Sequence, residues 1–186
     1  ALHHSWSVLS SLDMIATADP PYHALIDTGA LVTGLNNFEV AKYLLEKGLS
    51  AMDGVVFLDE EDRKMILLRG SGNVMKLEQC GVPMARRFSF YDQCHTTGMD
   101  IKQDLNARAF VTLGKDMTFR DYAQGAFRMR GIGKGQTITL LVIPEVHKLV
   151  LTEVAAGRGL APKAWQEQCV GKPAEEQLAQ KLKDVC

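Results

Sequence analysis

Apolar positions along the chain follow two kinds of pattern, and each predicts a different secondary structure. Short continuous apolar runs bounded by turn residues are typical of strands that are buried on both faces. Runs of this kind lie at 24–26 and 54–58, and 88–91, 109–113 and the β-branched run 137–143 are further predicted strands. Two further runs, 65–69 and 74–77, flank Gly70-Ser71-Gly72-Asn73, whose turn residues predict a β-hairpin.

Helical spacing of apolar residues separates these strands. Asn36 with Glu39 three residues later resembles a capping box, which opens a helix that Gly48 ends. Thr118 is a second N-cap residue, for a helix that is expected to run to about Met129. The remaining predicted helices lie at 5–17, 145–156, 162–169 and 174–185.

The order of these elements defines the fold class. A strand at 24–26, a helix and a strand at 54–58 form a βαβ unit, which builds parallel sheets. The sequence therefore predicts an α/β domain with a mostly parallel sheet, flanking helices, a β-hairpin insertion and C-terminal helices. We expect an N-terminal helical lead-in at 1–21, the α/β core at 22–144 and a C-terminal helical extension at 145–186.

Composition excludes some classes of protein without selecting a function. The chain has 186 residues, of which 46% are hydrophobic and 23% charged, with a net charge of −1. This near-neutral balance disfavours binding to nucleic acid through bulk charge. Charge is nevertheless uneven, since 36–62 holds seven acids against two bases and 101–135 seven bases against three acids. The basic segment is either a solvated surface or a surface that faces an anion.

Several features concern the location of the protein. No apolar run reaches 18 residues, so no membrane helix is expected. The chain starts at Ala1 rather than at Met, which suggests a piece of a longer protein. The four cysteines lie far apart in the sequence, so we expect free thiols in a reducing, intracellular compartment (cytoplasm or nucleus) and no metal site. They are Cys80, Cys94, Cys169 and Cys186.

Three short segments carry candidate chemistry and each has a simpler interpretation. Asp27-Thr28-Gly29 looks like the loop of retroviral-type aspartic peptidases, but it also fits a turn at the end of a strand. Asp59-Glu60 resembles a Walker B pair, but the chain has no G-x-x-x-x-G-K-[ST] loop, so a solvated strand end is expected. Cys94 precedes His95, yet neighbours in an extended chain point apart, which favours a buried inert thiol.

A fourth segment is longer and ordered. A strand and Asp92 lead to Thr97-Gly98-Met99-Asp100-Ile101, and a helix after the next strand carries Gln124-Gly125-x-x-Arg128-x-Arg130. This order resembles motifs V and VI in the second RecA-like domain of superfamily-two helicases and SecA-like ATPases, over about residues 24–143. It is also similar to a segment of very large eukaryotic proteins, some of which are labelled ubiquitin thioesterase-like.

The resemblance implies a RecA-like fold and half of a P-loop NTPase motor that is inactive alone. ATP with Mg²⁺ would be bound mainly by a preceding RecA-like domain, and Arg128 and Arg130 would act on its phosphates as catalytic residues. The same resemblance gives Gln124, Gly98 and Asp100 contacts to the nucleotide. Nucleic acid, as a possible partner, would cross the loops that hold Thr28, Gly29, Thr96 and Thr97.

The motifs also depart from the family pattern. Asp92 stands at the usual threonine of motif V, and Arg130 lies one residue short of the second arginine of motif VI. These departures favour a first alternative, a non-catalytic interaction module of a large scaffold. A second alternative is part of a cysteine-type deubiquitinase or peptidase, although the sequence shows no catalytic triad.

Overall fold

A seven-stranded sheet forms the centre of the computed structural model, which describes residues 1–159 and 161. The strands follow one another in the order β4-β3-β2-β5-β1-β6-β7 across the sheet. Five strands are parallel, and β3 and β4 form an antiparallel hairpin at one edge. The strands are β1 (Ala24–Ile26), β2 (Gly54–Leu58), β3 (Lys64–Leu68), β4 (Val74–Lys76), β5 (Arg87–Tyr91), β6 (Arg108–Leu113) and β7 (Thr137–Val142). The prediction of an α/β domain with a mostly parallel sheet and a hairpin insertion is confirmed.

The described residues also form four α-helices. Asn36 accepts a hydrogen bond from the Glu39 amide while the Glu39 side chain accepts one from the Asn36 amide, which confirms the expected capping box. Thr118 and Asp121 form a second capping box. The helices are α1 (Val8–Ala16), α2 (Asn37–Lys47), α3 (Phe119–Ala126) and α4 (Pro144–Gly157). Three short 3₁₀ helices lie at Leu77–Gln79, Met84–Arg86 and Gln93–His95.

The core has two layers, one on each face of the sheet. On one face, α1 and α2 pack against alternate strand residues such as Leu25, Val55 and Phe90. On the other face, the chain from 92 to 107 and the turn after α3 cover the intervening strand residues. Because α1 contributes Leu12 and Ile15 to the first layer, the N-terminal segment packs into the core of the domain.

The helix that begins after Thr118 is shorter than expected. It ends at Ala126, and the amides of Arg128 and Met129 bond to carbonyls only three residues earlier, at 3.0 and 2.9 Å. This tighter turn places Met129, which is 1% exposed, in the second core layer. Core packing therefore overrides helix propensity here. The helices expected at 162–169 and 174–185 lie outside the described residues.

Candidate functional site

The carboxyl ends of the five parallel strands meet at one edge of the sheet, and the loops there hold the candidate residues. In open α/β sheets, ligands bind at this edge, where successive connections leave toward opposite faces. Here β1 continues into α2 on one face, whereas β5 and β6 continue into segments on the other. A ligand is therefore expected at the loops after β1, β5 and β6.

Asp27 follows β1 and is turned into the protein. It is 1% exposed, and its carboxylate accepts hydrogen bonds from the Leu31 and Val32 amides, both at 2.9 Å, and from the Thr112 hydroxyl at 2.7 Å. Burial raises the pKa of Asp27, although these three donors oppose the shift. The carboxylate thus fixes its own loop, as a strand-end turn requires, and is not displayed as a peptidase aspartate would be.

The residues proposed to meet nucleic acid differ in exposure. Thr28 is 5% exposed, and its hydroxyl lies so close to α3 that a Cβ at Gly125 would be 2.4 Å from it. Thr96 is also buried and donates its hydroxyl hydrogen to the Gln93 carbonyl at 2.9 Å. Thr97 is exposed and Gly29 is half-buried. The two buried threonines can therefore contact a ligand on the surface only through their loop backbones.

Gly29 is required by the packing of two loops. A Cβ at this position would be 2.3 Å from the Gly114 amide nitrogen, closer than any side-chain atom can approach. The Gly29 amide donates to the Thr112 hydroxyl at 2.8 Å, and that hydroxyl donates in turn to Asp27. Thr112 thereby joins the loops after β1 and β6.

Tyr91, the last residue of β5, fixes the path of the following loop. Its buried hydroxyl accepts a hydrogen bond from the Ile101 amide at 2.8 Å and donates one to the Ile101 carbonyl at 3.2 Å. Burial raises the pKa of Tyr91 to about 12, so the hydroxyl stays protonated and available as a donor. This contact sets the position of Gly98, Met99 and Asp100, just before Ile101.

The two arginines after α3 contact this same loop. Arg128, 9% exposed, donates from a guanidinium nitrogen to the Met99 carbonyl and from Nε to the Gln124 carbonyl at 3.4 Å. Arg130 Nε lies 3.4 Å from Asp100 Oδ1, and both side chains are about half exposed, at 58% and 49%. The structure thus brings the segments 98–100 and 128–130 together, with Arg128 inside the protein and Arg130 at its surface. Gly98, at the start of the contact, has a φ of +79°.

Beside these loops is an open cleft of about 510 Å³ between the start of α2, the turn after β2 and the turn after β5. Its floor includes Phe57 and Leu58, with Phe38 at the side. Several charged residues line it: Asp59, Glu60, Glu61, Arg63, Asp92 and His95. Arg63 is paired with Asp59 at 2.8 Å and with Glu61 at 2.6 Å, so the cleft has a negative balance. Asp59 and Glu60, compared above with a Walker B pair, lie in this exposed turn.

His95 joins two walls of the cleft. Its Nδ1 lies within hydrogen-bond distance of Asp92 Oδ1, and its Nε2 is 2.7 Å from Asp62 Oδ1. Asn37, in the first turn of α2, donates from its amide to Asp92 at 3.0 Å. Partial burial lowers the pKa of His95, but hydrogen bonds and charge from Asp62 and Asp92 outweigh it and leave the pKa raised.

The prediction that Cys94 is buried is wrong. Cys94 is exposed and lines the cleft, because it lies in the short 3₁₀ turn at Gln93–His95. Since both ring nitrogens of His95 face carboxylates, neither is available as a base for the Cys94 thiol. The arrangement gives no support to a cysteine peptidase.

Sequence reasoning missed Asn37, Asp62 and Thr112 as members of this region. Their partners are 55, 33 and 85 residues away in the chain, so no local spacing indicates them. A weak signal exists for one pair, since Asp92 and His95 are three residues apart and can meet across a single turn.

Comparison with protein-family models, with curated proteins and with solved structures finds no match. Within residues 1–159 and 161, no helix is long and apolar enough to cross a membrane. Over the same residues, no group of three or more His, Cys, Asp or Glu side chains could hold a metal ion.

Proposed function

We propose that this chain is the second, RecA-like domain of an NTPase motor and closes over a nucleotide that a preceding domain holds. One observation carries the proposal: the segment 98–100 and the arginines at the end of α3 are in contact, although about 30 residues separate them. Such a domain places guanidinium groups beside the phosphates of ATP, where negative charge develops during phosphoryl transfer.

The two arginines would have different roles. Arg130 is more than half exposed, and an exposed ion pair such as that with Asp100 contributes little, so its guanidinium can exchange a carboxylate for a phosphate at low cost. Arg128 is buried and bonded to the Met99 and Gln124 carbonyls, so it positions the loop that carries Gly98 and Asp100. Gln124, which lies in α3 just before these arginines, would approach the nucleotide from that helix.

Nucleic acid, if it is the substrate of the motor, would cross the loops after β1 and β5. Thr97 offers an exposed hydroxyl, while Thr28, Gly29 and Thr96 offer backbone amides, which commonly bind phosphate oxygens.

The alternative of a non-catalytic interaction module has one observation in its favour. Arg128 is already satisfied by protein carbonyls, as expected for a residue with a purely structural role. The two functions differ in their response to nucleotide, because a scaffold module has no reason to alter hydrolysis by the domain before it.

Hydrolysis of ATP by this chain alone, by the preceding domain alone and by the two joined tests the proposal. We expect no activity for the chain alone, little for the preceding domain, and a large increase when both are present. An active isolated chain would refute the proposed division of labour. Equal activity of the preceding domain with and without this chain would instead support the interaction module.

A further inference from the structure

The bridge formed by His95 depends on its protonation state. A neutral imidazole has one N–H donor and one nitrogen lone pair, whereas the imidazolium has two donors. Because a carboxylate accepts hydrogen bonds and cannot donate them, a ring placed between Asp92 and Asp62 satisfies both only when it carries the second proton. With neutral His95, a lone pair would face one of the two carboxylates.

Asp62 is the partner that would leave. The Asp92 side chain is 23% exposed and also accepts a hydrogen bond from Asn37, so α2 retains it. The Asp62 side chain is 73% exposed, and its residue has a φ of +58°, a backbone conformation that is uncommon for residues other than glycine. Loss of the His95 contact therefore frees the exposed Asp62 side chain from the turn after β5, while hydrogen bonds from the Glu61 and Arg63 amides to Asp59 keep the turn itself folded.

We propose that His95 forms a pH-dependent bridge across the cleft. Its imidazolium holds the turn after β2 to the turn after β5, and its deprotonation frees Asp62 and opens the cleft. The bridge is a property of the cleft and does not depend on the motor function proposed above. Since the pKa of His95 is raised, the bridge is complete below the ordinary value of 6.5 and is lost as the pH rises through the higher, folded-state value.

Other polar and charged groups near the ring do not take over the role of His95 in joining the two turns. On the cleft side, the turn after β2 presents Asp59, Glu60, Glu61 and Arg63, and the turn after β5 presents the Cys94 thiol. On the other side of Asp62, a smaller pocket is lined by Lys64, Lys76 and Glu78. Arg63 forms ion pairs with Asp59 and Glu61. The charge of Asp92 helps to raise the pKa of Asp27, but Asp27 is buried and its carboxylate is hydrogen-bonded to its own loop.

Asp62→Asn is a suitable test variant because asparagine tolerates a positive φ, so the turn keeps its conformation while the carboxylate charge is lost. Glu60→Gln, in the same turn, removes an equal charge and provides the control. NMR titration of the histidine rings of the full chain measures the effect, with His95→Gln identifying the resonance. We expect a His95 midpoint above 6.5 in the wild type, a clear decrease in Asp62→Asn and a smaller one in Glu60→Gln.

Backbone dynamics of the turn provide the second readout. The heteronuclear NOE of residues 60–63 should fall as the pH passes the His95 midpoint, and His95→Gln should show low values at every pH. Three results would each refute the pH-dependent bridge. They are a His95 midpoint at or below 6.5, equal midpoints in Asp62→Asn and the wild type, and backbone dynamics of the turn that do not change at the midpoint.

Discussion

Replacing Tyr91 by phenylalanine removes the hydroxyl that both polar backbone groups of Ile101 contact. Tyr91 has no exposed surface and Ile101 is 2% exposed, so water does not reach these groups in the folded protein. A buried donor or acceptor left without a partner costs about 1–3 kcal/mol. With two such groups and some relaxation of the loop, we expect Tyr91→Phe to lower the free energy of unfolding by about 2–4 kcal/mol.

Urea unfolding followed by circular dichroism measures this change, and Tyr43→Phe is the matched control. The Tyr43 hydroxyl donates to Asp13 at 2.8 Å, but both residues are only half-buried, so water can replace the lost contact. We expect a loss of about 1 kcal/mol or less for Tyr43→Phe. Equal losses in the two variants would show that Tyr91 does not fix the loop, and the placement of Met99 and Asp100 beside the arginines would lose its physical basis.

Two further predictions concern the loops after β1. Gly125→Ala places a Cβ 2.4 Å from the Thr28 hydroxyl, so we expect it to lower the free energy of unfolding by about 1–3 kcal/mol. Thr28→Ala should relieve this loss in the double variant, and additive losses would refute the close contact. Because the pKa of Asp27 is raised in the folded state, its contribution to stability is complete below the ordinary value of 3.8 and is lost as the pH rises through the folded-state value. Asp27→Asn should flatten this part of the pH profile of urea unfolding, and an unchanged slope would contradict the raised pKa.

The sequence predicts local features of this fold well because their determinants are local. Asn36 and Glu39 define the start of α2 through contacts three residues apart, and the glycine-containing turn between β3 and β4 defines the hairpin. The predicted end of α3, at about Met129, is three residues too late. The burial of Met129 depends on the opposing core and not on its neighbours in the sequence.

The site is less accessible to sequence reasoning because its contacts join distant parts of the chain. The resemblance between motifs implies that Arg128 and Asp100 approach one nucleotide, but nothing in the sequence indicates the contact of Arg128 with Met99, or that Arg128 is buried while Arg130 is exposed. The bridge from Asp62 to His95 needs the order of β2 and β5 in the sheet, which short apolar runs do not reveal.

The most direct test of the proposed function is the rate of ATP hydrolysis by this chain joined to the nucleotide-binding domain that the proposal places before it, with Arg130→Ala compared with Arg120→Ala. Arg120 is an exposed arginine in the first turn of α3, so its loss controls for the general effect of charge. An arginine that stabilises the transferring phosphate contributes about 10³–10⁵ in rate, so we expect a decrease of at least about 10³ for Arg130→Ala and little change for Arg120→Ala. Equal rates in the two variants would contradict the assignment of Arg130 to the nucleotide.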